Sequence, residues 1–249
     1  MADIGDILES HRCGKFKIIS DEGKGKFKVR FLDTGYESIR DKSIVEIGQI
    51  GDPYCPKIAG VGWMGKGKYK SRTSPPENKK TPQYRCWENM LYRVYDKTHR
   101  LANRYSGRGV TVCEDWLDFQ NFAEWFDENY IEGYVLDKDI TYPGSLEYSP
   151  ETCSFIPQEV NKFFAAMNKR RGDYPVGVYK SGSRFMARIQ FRDVLVSETY
   201  DDPEEAFEFY KKHKENFLKE MAQEYYDDGK IAKAVYLNLM QWEAVPYPD

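Results

Sequence analysis

Residues 176–242 hold the pattern that most narrows what this chain can fold into. Three runs, Val176–Lys180, Phe185–Phe191 and Val194–Thr199, are separated by Ser181-Gly182-Ser183 and by Arg192-Asp193. Their period-two alternation predicts strands. It sets Tyr179, Ser181, Arg188 and Gln190 on a solvent face and turns Val178, Phe185, Ala187 and Ile189 toward a covering helix. That helix is announced by Asp202-Pro203-Glu204-Glu205, where Asp202 can cap, Pro203 suits the first turn and Glu205 lies three residues after the cap. Ala206, Phe207 and Tyr210 form its apolar stripe, Asp227-Asp228-Gly229 ends it, and Lys230–Trp242 reads as another helix. Three strands closed by one packed helix make an α+β unit.

The opening residues also read as β structure. In Lys26-Phe27-Lys28-Val29-Arg30-Phe31, apolar and basic residues alternate, so Phe27, Val29 and Phe31 share one face and Lys26, Lys28 and Arg30 the other. The basic face suits either backbone tracking or simple solubility. Turns at Gly23/Gly25 and Asp33-Thr34-Gly35, with apolar runs Phe16–Ile19 and Ile44–Ile47, predict a small β-barrel over residues 1–63. Residues 64–82, rich in Gly, Lys, Ser and Pro, read as a basic linker. Trp87, Met90, Leu91, Val94 and Tyr95 then recur at helical spacing, and Tyr105-Ser106-Gly107-Arg108-Gly109 breaks that helix. The Gly-rich break lacks a Walker lysine pattern and is not read as a nucleotide site. Asp118 is expected to cap a second helix, with Trp116, Phe119, Phe122, Trp125 and Phe126 as core. Short extended pieces follow between 134 and 163, before a helix near Gln158–Phe164.

A formal net charge of -3 conceals segregation. Lys66–Arg108 carries twelve Lys or Arg against three Asp or Glu, and Lys162–Arg192 eight against Asp173 alone. Thr111–Glu159 carries twelve acids against Lys138, and the stretch from Asp193 onward fourteen acids against six bases. Alternating blocks suit a protein that offers basic surfaces to a polyanion, beside the plainer reading of solvated faces. No apolar run approaches the ~20 residues that span a bilayer, and no basic-then-apolar leader opens the sequence, so a cytoplasmic protein with no membrane partner is expected. The five cysteines, Cys13, Cys55, Cys86, Cys113 and Cys153, are far apart in sequence and never form C-x-x-C. That spacing argues for small buried apolar residues in a reducing compartment, against a disulfide framework or structural zinc.

Two segments resemble known families. The order "YRCWENMLYRVYD", "YSGRGVTVCEDWLDFQNFAEWF", "LDKDITYPGSLEYSPETCSFIPQEVNKFF" within residues 83–163 resembles bacteriophage and prophage proteins described as HNH or homing-endonuclease-like. The resemblance implies a central ββα-containing domain over 83–168, in which a His activates water, an Asn orients it and a final His or Asn joins an acid in holding Mg²⁺ or Mn²⁺. Aligned on that order, the His position falls at Lys138 and the Asn position at Thr152. Asn161 retains the last position, and Asp137 or Asp139 could supply the carboxylate. Lysine is a poor general base at neutral pH unless its pKa is strongly lowered, and His11, His99 and His213 are not near in sequence. Asp137 and Asp139 read equally as turn carboxylates, Asn161 as a helix-terminal hydrogen-bonder, and Cys113 and Cys153 as core.

The second resemblance is "PVGVYKSGSRFMARIQFRDVLVSETYDDPEEAFEFYKK", residues 175–212, which is similar to the ethylene-response-factor type of DNA-binding domain. It implies a sheet laid in the major groove, within a C-terminal domain over 169–249. Arg188 and Gln190 would then face bases, with Tyr179 and Ser181 beside them, and Lys180, Arg184 and Arg192 would face phosphates. Val194 and Val196 stand where that family usually carries Arg and Trp. The expected protein is thus α+β, phage-encoded, and binds duplex DNA with cleavage weak or lost. The alternative is an inactive phage protein that engages a host protein through its acidic surface.

Overall fold

The computed structural model describes residues 2–98, 106–165 and 173–247. His99, Arg100, Arg104 and Tyr105, with Lys169, Arg170 and Arg171 of the second basic block, lie outside the described residues. The chain divides into two compact units, 1–128 with 146–149, and 129–145 with 150–249. Both mix helices with small sheets, so the α+β class stands. Among the described residues no helix is long and apolar enough to cross a membrane.

The first unit opens with an antiparallel meander of β1 (Ile7–Ser10), β2 (Gly14–Gly23), β3 (Lys26–Phe31) and β4 (Glu37–Asp41), followed by α1 (Lys42–Glu46). Phe27, Val29 and Phe31 are buried with Phe16 and Ile18 of β2 and Val45 of α1, as alternation requires. The expected barrel does not form: β1 and β4 are the outer strands of an open four-stranded sheet. The run at Ile44–Ile47 explains the difference. It belongs to α1 and its cap, burying Val45 under the sheet while Ile47 stays exposed, so it adds no closing strand. The basic face of β3 is compensated across the sheet, where Glu37 pairs with Lys28 (2.7 Å) and accepts from Arg30 Nε (2.6 Å).

Residues 64–82 are not a free linker. The Gln120 side chain accepts from the Tyr69 N–H (3.0 Å) and donates to the carbonyls of Met64 (2.9 Å) and Tyr69 (3.2 Å), while Thr81 Oγ1 donates to Lys70 O. Composition could not reveal partners some fifty residues away. Thr81 caps α2 (Pro82–Tyr95), which buries Tyr84, Trp87, Met90, Leu91 and Val94. After β5 (Thr111–Val112), Asp118 accepts from the Gln120 N–H (2.8 Å) at the head of α3 (Phe119–Asn129), as its spacing predicted. The buried indole of Trp87 donates to Trp116 O at 2.6 Å, which satisfies its N–H within this aromatic core.

In the second unit β6 (Tyr134–Asp137) is followed, after an excursion in which β7 (Glu147–Tyr148) pairs in parallel with β5 in the first unit, by β8 (Ser154–Pro157). β6 and β8 are antiparallel, with Asp137 opposite Ser154, and α4 (Gln158–Ala165) continues directly from β8. This is a ββα element. Next come β9 (Val178–Ser181), β10 (Arg184–Phe191) and β11 (Val194–Tyr200) in a sheet of order β11-β10-β9, then α5 (Pro203–Asp227) and α6 (Lys233–Gln241). Asp202 caps α5 as expected, and Gly229, at φ 68°, follows its end. The first half of α5 packs Ala206, Phe207 and Tyr210 on Val178, Ala187 and Ile189. Its second half packs Leu218, Met221 and Ala222 on Ile140, Ile156 and Val160, with Val235 and Leu239 of α6. The domain boundary expected between 168 and 169 therefore falls inside one compact unit, because α5 serves both sheets.

Gly177 enters β9 at φ 79°, and a Cβ built there would fall on the Tyr210 ring. Gly177→Ala is expected to cost about 3 kcal/mol, joining a left-handed backbone to an overpacked contact. Gly182→Ala, at φ 62° with open space around it, should cost only about 1 kcal/mol. Urea unfolding of the two variants beside the parent chain measures the difference.

Candidate nucleic-acid interface

The sheet of the second unit presents the face that alternation predicted. Arg188 lies opposite Ser197, Gln190 opposite Leu195, Met186 between Tyr179 and Thr199, and Arg184 opposite Ser181. Their partners on the other face, Ala187, Ile189 and Val178, are buried under α5. Tyr179 is 40% exposed, and Ser181, Arg188 and Gln190 are exposed beside it. Arg188 has no carboxylate partner among the described residues, and Gln190 Nε2 makes a long bond (3.4 Å) to Arg192 O.

The three cations assigned to phosphates are placed differently. Lys180 pairs with Phe185, so it points to the helix side of the sheet, its Nζ 4.1 Å from that ring's centroid. Arg184 donates to Asp201 (2.7 Å) and to Thr199 O (3.1 Å) at the exposed end of the strands. Arg192 occupies the β10–β11 turn at φ 50° and is gripped by two acids, Glu159 of α4 (2.9 Å) and Glu224 of α5 (2.8 Å). Its guanidinium holds Glu159 below the usual carboxylate range, aided by the Tyr225 hydroxyl and against partial burial. Those acids lie 33 and 32 residues away in sequence, so no local signal marks Arg192 as a clamp. Leu195, 52% exposed next to Gln190, was also not anticipated on that face.

The ββα element carries the residues aligned on nuclease positions. Asp137 ends β6, Lys138 follows it, Thr152 precedes β8 and Asn161 lies on α4. Lys138 is buried, and its ammonium donates to Asp139 (2.5 Å) and to Ser145 O (2.9 Å). A lysine whose proton-bearing nitrogen is an ion-paired donor has no lone pair with which to accept a proton from water. Asp137 Oδ2 accepts from the Ile140 N–H (2.7 Å), and that turn is held from α6 by Asn238, which donates to the carbonyls of Ile140 and Thr141 (2.9 Å each). Burial pushes the Asp137 carboxyl up to about 6, assisted by Asp139 and opposed by the Ile140 and Thr141 amides and by Lys138. Both candidate carboxylates are already engaged, Asp137 by a turn amide and Asp139 by the Lys138 ammonium. Among the described residues no three His, Cys, Asp or Glu gather as metal ligands.

One charged group was not anticipated. Lys214 of α5 is 3% exposed and lines a cavity of about 180 Å³ with Gly177, Tyr179, Arg188, Gln190 and Tyr210. Its Nζ donates to Phe163 O (3.1 Å) in the last turn of α4, and burial lowers its pKa to about 7. The signal was available: Lys214 interrupts the stripe Phe207, Tyr210, Leu218, Met221 at an apolar position. Comparison with models of protein families, with curated proteins and with solved structures finds no match.

The two buried titrating groups act in separate pH windows. Asp137 binds a proton more tightly folded than unfolded, so its contribution is full below about 3.8 and is lost as pH rises through about 6. The cost above that point is about 3 kcal/mol. Asp137→Asn keeps an acceptor for Ile140 N–H and should be more stable than the parent at pH 7 but equal to it near pH 4. Lys214 has the opposite sense to a lysine that gains a partner: its native pKa is depressed, so stability rises with pH between about 7 and 10.5, by about 5 kcal/mol in full. Lys214→Met should flatten that rise. Denaturant midpoints across pH 4–10 test both.

Proposed function

We propose that this chain binds duplex DNA in the major groove through the outer face of the β9–β11 sheet and does not cleave it. The observation that carries this reading is the pair Arg188 and Gln190, adjacent on one face of β10, exposed and unopposed by any carboxylate among the described residues. Side chains at i and i+2 on a strand stand about 7 Å apart, close to two base steps of B-DNA at about 3.4 Å each. Arg suits guanine and Gln suits adenine, each through two hydrogen bonds, and Leu195 beside Gln190 suits a thymine methyl. Phosphates would be met from the sheet's end by Ser181, not by Lys180 on the helix side or by the clamped Arg192. The HNH-like order of motifs supports a phage-encoded protein of the bacterial cytoplasm.

A second reading is favoured by Val194 and Leu195, 51% and 52% exposed on a sheet whose arginines are partly neutralised. In it the same protein docks on a host protein, aided by its acidic stretches. Titration of labelled duplex in a salt series separates the two. Affinity should fall with salt by a log–log slope of about 0.9 per phosphate contacted. Arg188→Ala should lose roughly ten- to hundredfold on the preferred sequence and little on others, as expected for one lost bidentate contact. No binding at low salt would remove the nucleic-acid reading and leave the protein-docking one.

Cleavage has its own test. Supercoiled plasmid incubated at length with the protein and Mn²⁺ should remain supercoiled, since Lys138, at the position aligned with the water-activating His, is an ion-paired donor, and general-base catalysis is worth about a hundred- to ten-thousandfold. Robust nicking that disappears in an Asp137→Ala/Asn161→Ala variant would show a live site and overturn the inactive reading.

A further inference from the structure

The first unit brings together two cysteines that lie 42 positions apart in sequence. Cys13 follows β1 and Cys55 lies in the loop after α1, and each thiol reaches into the other's segment. The Asp52 N–H donates to Cys13 Sγ (3.3 Å), and Cys55 Sγ donates to Arg12 O (3.4 Å). Lys57 lies two residues beyond Cys55. Cys13 is 5% exposed at the edge of the sheet core, whereas Cys55 is half-buried and lines, with Asp52, Lys57 and Trp63, a cavity of about 390 Å³. Both residues gather on the Asp52 carbonyl, which accepts from the Cys13 thiol (3.9 Å) and from the Cys55 N–H (3.4 Å), so side-chain rotation can bring the sulfurs toward the ~2.05 Å of a disulfide bond.

We propose that Cys13 and Cys55 are a peroxide-reactive thiol pair, in which a hydroperoxide oxidises Cys13 and Cys55 resolves the product as a disulfide. The two sulfurs have unlike surroundings, as such a division of labour requires. Burial alone pushes Cys13 up, but Lys57, the Asp52 amide and the Cys55 thiol together outweigh it and hold Cys13 below its ordinary value. Cys55 is pushed up to about 11, by burial and then by Cys13 beside it. The thiolate is the nucleophile, so Cys13 attacks first. Its sulfur takes one peroxide oxygen as the O–O bond breaks, and hydroxide or alkoxide leaves and gains a proton. Cys55 then attacks the sulfenic sulfur, the S–S bond forms, the S–O bond breaks, and the departing hydroxide takes the Cys55 proton as water. Two thiols are oxidised by two electrons and one peroxide is reduced. Cys86 offers the internal contrast, its thiol pushed up to about 12 by burial.

The test uses the full chain and hydrogen peroxide in slight excess. Intact mass should fall by two hydrogen atoms, and a non-reducing digest should yield one peptide joining Cys13 to Cys55 that separates on reduction. In Cys55→Ser, half-buried and outside the core, Cys13 should instead be trapped as a sulfenic acid by dimedone. Lys57→Met should slow oxidation of Cys13 by about tenfold, as its thiolate fraction falls. Cross-links between other cysteines, equal oxidation of all five, or an unchanged rate in Lys57→Met would overturn the proposal.

Discussion

Helix α5 has to satisfy two surfaces at once, and the second unit depends on its doing so. At 25 residues it is about 37 Å long, far longer than a three-stranded sheet needs as cover. Its first turns bury Ala206, Phe207 and Tyr210 on the β9–β11 sheet, and its last turns bury Leu218, Met221 and Ala222 on the ββα element. Phe163, Phe217 and Trp242 border both clusters, so the two cores are continuous. Arg192 adds a polar strap at the far end, tying the β10–β11 turn to α4 and α5 through two carboxylates. The strap also accounts for a non-glycine residue at φ 50°, since the ion pairs offset the strain of that turn.

Where two cores meet on one helix, the seam is the hard place to fill. Lys214 sits there, on the buried stripe, with its ammonium on the last turn of α4. Helix C-terminal carbonyls are orphaned acceptors at the negative end of the dipole, so a cation there recovers part of its burial cost. The depressed pKa says that recovery is incomplete. The same residue lines the cavity beneath Arg188 and Gln190.

Local order was legible in the sequence wherever its cause was local. Period-two alternation gave the faces of β3 and β10, and Asp118, Asp202 and Gly229 marked helix ends, because caps and pleats act over a few residues. What was not legible came from distant partners. The open edge of the N-terminal sheet turned on a five-residue helix within an apolar run too short to distinguish helix from strand. The basic loop 64–82 folds because Gln120 holds it, and Arg192 is a clamp because Glu159 and Glu224 converge on it. The Cys13–Cys55 approach was likewise invisible to spacing rules, which count separation along the chain and not through the fold.

The same logic describes the ββα element. A water-activating imidazole keeps one nitrogen free and holds its loop only through the other. Lys138 does hold its loop, bridging Asp139 and the Ser145 carbonyl from a buried position, and Asp137 caps the turn that Asn238 grips from α6. Asp137 and Lys138 have been drawn into supporting the backbone, and the element's apolar side has been joined to α5 and α6. Such a site is rigid and internally satisfied, which suits a scaffold. Arg188 and Gln190 have the reverse character. They are anchored on a strand whose other face is packed under α5, while their own hydrogen-bonding groups stay exposed and almost unspent within the protein.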